Sequence, residues 1–305
     1  MTEVHNTRVE AGNDVSWMHR FSSLVAVMAF LLILTGTLVS GSGGRVIVAH
    51  TAGHICGSGS AGDHSAKYAH VYQLLGASVI LLTLILALWL WQSDSDRYLK
   101  RLAVITVGFL LALAAGVEFS VFSLFPTAGP FAYALGIQVF FGLTVCLALF
   151  TRSDWRWDHP KSRDIASPSL RQVLVFMTGA LFLQSVLGEG FRRREWGIAP
   201  HFVLGVVVTL CAVWVLEMAL SKFPQLKPFK MSAILLGELV GLQLFLGIVT
   251  YSMDLNARAA SAPQPGVLVM NVTHAAVGAL VLATSLFVTC QAFKYLAPGV
   301  AQAAG

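Results

Sequence analysis

Charge is scarce in this chain of 305 residues: 11% are Asp, Glu, Lys or Arg, against about 25% in ordinary soluble domains, and 56% are hydrophobic. That balance excludes a water-soluble enzyme of this length. Cysteine is scarce too. Of the four present, three lie in apolar runs, so no disulfide framework is expected. Proline is missing from the middle of every apolar run, which argues against the broken helices of a secondary transporter. No long polar segment separates the runs, leaving no basic face for nucleic acid; the net charge of +5 is a matter of membrane topology.

What the chain does have is eight apolar runs near residues 21–41, 70–91, 101–122, 131–150, 170–190, 201–221, 231–252 and 271–292. Each is long enough to cross a hydrocarbon core of about 30 Å. The expected fold is an all-α integral membrane protein of eight transmembrane helices. The first run is too long for a cleaved signal peptide and lacks a cleavage site. Fourteen Lys and Arg fall on the side of the termini and six on the other, which predicts cytoplasmic N- and C-termini in a bacterial-type inner (plasma) membrane. Trp89, Trp91, Trp155 and Trp157 are expected as interfacial anchors on that side. The linker 152–169 divides the chain into a first four-helix half, 21–151, and a second, 170–294. Segments 1–20 and 295–305 flank them in the cytoplasm.

The halves are weakly self-similar. HVYQLLGASVILL opens span two and HFVLGVVVTL span six; FLLALAAGVEFSVF closes span three and LQLFLGIVTYSMDL span seven. The expectation is therefore two pseudo-symmetric bundles. His70, His201 and His274 fall at the first turn of spans two, six and eight on the outer side, with Tyr133 in the matching place of span four. A histidine in a bilayer is costly to leave unpaired and so marks function. Gly205 and Gly278 follow His201 and His274 by four residues, one turn along the same face. Two imidazoles, each with a cleared patch beside it, suit bis-axial ligation of a haem iron. In the first half, Gly76 follows His70 by six residues, and Tyr133 can either ligate ferric haem or make a buried hydrogen bond.

Other groups invite chemistry. Arg192, Arg193 and Arg194 precede His201 and can clamp haem propionates or contact lipid headgroups. The Gly-rich outer loop 42–69 holds His50, His54, Cys56, Asp63 and His64, ligand types that suit zinc or copper without a standard spacing. Glu118, Glu189, Glu217 and Glu238 lie in or beside spans, and either Glu118 or Glu189 can pair with the arginines.

Taken together, NVTHAAVGALVLATSLFVT in span eight, GLQLFLGIVTY in span seven, ILTGTLVSGSG closing span one and IQVFFGLTVCLALFT in span four, with the histidine spacing, resemble the haem A synthase family (CtaA-type cytochrome oxidase assembly proteins). The resemblance spans nearly the whole chain. It implies a haem b ligated by His201 and His274 in the second half. It also implies a second haem, haem O or haem A, in a catalytic first half that contains His70. Respiratory-complex or oxidase-assembly partners follow from the same resemblance. The first half departs from the family: Tyr133 replaces its second histidine, and Lys67 in KYAH replaces a glutamate. Val71 and Phe202 replace arginines, and Cys56 stands alone where many members have a pair.

A bc-type cytochrome b would carry two histidines on each of two helices, and a c-type haem needs Cys-x-x-Cys-His; neither pattern occurs. Two readings stay open. One is a haem-binding subunit for electron transfer or oxidase assembly. The other is an active haem A synthase, an oxidoreductase converting the haem O methyl group to formyl with oxygen from water, with His70, Tyr133 and Glu118 as candidate catalytic residues.

Overall fold

The computed structural model describes residues 2–42, 63–119, 121–125, 127–155, 160–259 and 265–298. Eight long helices carry the fold: α1 (Thr2–Gly41), α2 (Asp63–Gln92), α3 (Arg97–Glu118), α4 (Ala128–Phe150), α5 (Leu170–Arg192), α6 (Ala199–Ser221), α7 (Lys227–Ala259) and α8 (Pro265–Tyr295). All eight contain a stretch long and apolar enough to cross a membrane. Helices are the expected answer, because each satisfies its own backbone hydrogen bonds where lipid supplies none. A 3₁₀ turn, Val121–Leu124, joins α3 to α4.

The chain divides into two compact units: Met1–Trp155 with Thr250–Ala276, and Arg156–Val249 with Val277–Gly305. The boundary between them in the first pass of the chain falls after Trp155. The C-terminal end of α7 and the N-terminal part of α8 group with the first unit rather than the second.

In the first unit α1 packs on α2 and α4, and α3 on α2 and α4, closing a ring of four. Its core at one end consists of Met18, Val25, Leu86, Leu90, Leu99, Ala103 and Leu147. Aromatic contacts ring that core, with Phe21 edge-on to Trp89 at 5.9 Å and Tyr98 to Phe150 at 6.0 Å. Trp155, expected at the lipid interface, is instead buried against Phe150 at 5.5 Å. Trp91 is exposed as an anchor should be. Trp157 lies outside the described residues.

In the second unit small and polar residues bring helices close, as they do where lipid removes the hydrophobic drive between helices. Thr178 on α5 bonds Ser285 (2.8 Å) and Thr289 (2.9 Å) on α8. Gly237 on α7 admits Leu216 from α6. The linker is tied to the tail by a short parallel pairing not foreseen from sequence: β1 (Ser162–Arg163) runs beside β2 (Leu296–Ala297). Buried Asp164 fixes the turn into α5, accepting from the Ser169 hydroxyl (2.8 Å) and the Arg171 amide (3.3 Å). Large apolar side chains such as Leu183, Leu210, Val213 and Phe245 face outward, as lipid requires.

Candidate functional site

The best-defined polar site lies where α5 meets α6. Pro200, in the first turn of α6, needs no backbone partner there, and it sets His201 one residue on. The His201 ring lies against α5, with Nδ1 3.2 Å from the Gln184 carbonyl oxygen. A carbonyl only accepts, so Nδ1 carries the proton and Nε2 carries the lone pair of the neutral ring. This backbone-anchored tautomer is the usual arrangement behind a metal-ligating histidine. The Gln184 side chain adds a second tie: its Nε2 donates to the His201 carbonyl at 2.9 Å and stands 3.5 Å from His201 Nε2. Gly188 makes the approach possible, since a Cβ there would sit 3.1 Å from His201 Cε1. Gly205, one turn along α6, leaves the space that the Gln184 amide fills; a Cβ would meet its Nε2 at 3.2 Å. Gln184 Oε1 is buried with no hydrogen-bond partner among the described residues.

The same motif recurs on the next helix pair. Gly278 on α8 receives the amide of Gln243 from α7, 3.1 Å from where its Cβ would be. The expectation of a cleared patch beside each histidine is thus refined: a glutamine from the preceding helix occupies it. His274, four residues before Gly278, is half-buried and falls in the first unit. It is nine residues past the start of α8, and His70 is seven past the start of α2, so only His201 sits in a first turn. Helices continue past the apolar runs because their polar ends keep their own backbone bonds in water.

At the C-terminal end of α5 the arginines are sorted by geometry. Glu189 accepts from Arg192 and, at 2.6 Å, from Arg193 Nε, the pairing expected of one of the two candidate acids. Arg194 makes no ion pair among the described residues. Its φ is +62°, and its amide reaches the Phe191 carbonyl (3.0 Å) while that of Glu195 reaches Gly190 (3.0 Å). This is a Schellman ending with arginine at the left-handed position that glycine usually takes. Trp196 then folds over Gly190, where a Cβ would collide with its ring.

The first unit is built differently. His70 is exposed, and so is Glu118 at the end of α3. The inward position on α2 belongs to Tyr72, whose hydroxyl is 2.6 Å from that of Tyr133 on α4. Tyr133 is further held edge-to-face by Phe122 at 5.5 Å. Glu217 and Glu238 are exposed on α6 and α7. No cluster of three or more His, Cys, Asp or Glu suited to a metal occurs among the described residues. His50, His54 and Cys56 lie outside the described residues, and Asp63 and His64 are described only as backbone at the start of α2.

Sequence reading passed over Tyr72, Gln184 and Gln243. The signal was present: each is a polar residue in an apolar span, and the two glutamines recur on the odd helix before a histidine helix. Comparison of the chain with protein-family models and with curated proteins gives no match.

Proposed function

We propose that this is a haem-binding integral membrane protein, for electron transfer or cytochrome oxidase assembly, in which His201 would hold the iron of a haem b and His274 would serve as the second ligand on its sequence pattern. The carrying observation is the His201 ring, whose Nδ1 is anchored on the Gln184 carbonyl at 3.2 Å so that Nε2 is the ligating nitrogen. The donor fits the group, being a neutral imidazole, and the Gln184 amide that fills the space beside Gly205 would turn aside to admit a macrocycle. His274 enters on its sequence pattern and on the recurrence of glycine and glutamine beside it. When bound, the haem supplies a one-electron carrier. The chain's own part is to hold the His201 imidazole in one tautomer and to exclude water with apolar helix faces. Arg194, which Glu189 does not neutralise, is the arginine left to meet a propionate.

The haem A synthase resemblance, the pseudo-symmetric halves and the cytoplasmic termini in a plasma membrane belong to the same reading. Within it, the first unit supports electron transfer over oxidation of haem O. His70 is exposed, and Tyr133 spends its hydroxyl on Tyr72.

The test is pyridine-haemochrome quantification on purified protein and on His201→Ala, His274→Ala and His70→Ala variants. One haem b per chain is expected, lost in the first two and kept in the third. A folded protein without haem, or one whose haem survives both His201→Ala and His274→Ala, refutes the proposal. Two haems per chain, with haem O or haem A among them, refute the one-haem reading and restore the synthase.

A further inference from the structure

The hydroxyl pair in the first unit has a spare proton. Tyr72 and Tyr133 come from α2 and α4, and their oxygens are 2.6 Å apart, so one phenol donates and the other accepts. The accepting phenol still owns an O–H. Neither tyrosine has another hydrogen-bond partner among the described residues, and Tyr72 is only 8% exposed. A donor left unmet in an apolar setting is costly, so buried phenols are normally supplied with an acceptor.

The surroundings show how the pair is held. Gly36 on α1 lets the Tyr72 ring approach, a Cβ there falling 3.2 Å from Cε2. On the other side the Phe122 ring meets Tyr133 edge-to-face and fills the place where Gly116 lacks a side chain. The backbone of Phe122 lies against Gly129 so closely that no Cβ fits. Aromatic and glycine surfaces thus line both rings with no acceptor of their own, and Tyr133 is half-buried, which leaves an approach from its side.

We propose that the Tyr72–Tyr133 pair is a binding site that donates one hydrogen bond to the carbonyl oxygen of a lipid-soluble molecule. The chemistry asks for an uncharged acceptor on an apolar body. A quinone carbonyl and a phospholipid ester carbonyl both qualify. The inference does not rest on the His201 site, because both tyrosines and their contacts belong to the first unit and His201 to the second.

The variants make opposite predictions and keep the rings. In Tyr72→Phe or Tyr133→Phe the remaining phenol loses its neighbour and donates to the ligand directly, so binding persists. In the double variant no donor remains. Carbonyl-stretch infrared difference spectra on full-length protein in nanodiscs, with a carbonyl-¹³C short-chain benzoquinone or with ester-¹³C phosphatidylcholine, identify which carbonyl is held. A downshifted labelled band is expected in the native protein and in both single variants and absent in the double variant. Quinone binding in parallel should weaken about fivefold in the double variant alone if the quinone is the ligand, the worth of one hydrogen bond of about 1 kcal/mol. Absence of a shifted band with both labels, or its persistence in the double variant, overturns the proposal.

Discussion

Gly188 is the position where helix preference and site geometry oppose each other most directly. Replacing a helical glycine by alanine ordinarily stabilises by about 0.5–1 kcal/mol. At Gly179, on the same helix, a Cβ has nothing within 4 Å, so Gly179→Ala should gain that amount in full. At Gly188 the new methyl would sit 3.1 Å from His201 Cε1 and 3.4 Å from Nδ1. Ordinary carbon contacts are about 3.5–4.0 Å, so the ring must retreat by about half an ångström. Retreat stretches the 3.2 Å bond from Nδ1 to the Gln184 carbonyl beyond hydrogen-bonding range, a loss of about 1 kcal/mol. Gly188→Ala should therefore be near neutral and about 1 kcal/mol less stable than Gly179→Ala. Gly188→Leu, which cannot fit beside the ring, should abolish the haem binding proposed for His201. The assay is chemical unfolding in detergent alongside haem content. Equal stabilisation by both alanines, with haem unchanged in Gly188→Leu, would refute the placement of His201 against α5.

Two further outcomes follow from packing alone. Arg194→Gly should stabilise the chain by about 1 kcal/mol, because φ of +62° strains any residue with a Cβ; Arg194→Ala keeps the strain, and equal stability of the two variants counts against it. Thr178→Val should cost about 1 kcal/mol in unfolding from detergent by leaving the Ser285 hydroxyl without its 2.8 Å partner. The cost should shrink in a Ser285→Ala background, and full additivity of the two changes would dissolve the pair.

The amino-acid sequence alone determined the eight helices, because about 20 consecutive apolar residues have few ways to satisfy their backbone in lipid. It also singled out His201 with Gly205 and His274 with Gly278. Those signals are local: run length, charge between runs, and one-turn spacing. Helix ends were less legible. Asp63–Ala69 and Pro265–Met270 are not part of an apolar run, yet both continue as helix, which moved His70 and His274 out of the first turn. Only tertiary structure decided which polar residue faces inward. Tyr72 and His70 are two residues apart on α2, about 200° around a helix, so neighbouring helices had to choose between them, and they chose the tyrosine. Likewise Glu189 could be matched to Arg192 and Arg193, with Arg194 turned away, only once the end of α5 was folded. Gln184 lies 17 residues from His201 in the chain, and its role exists only because Gly188 lets two helices close to one hydrogen bond.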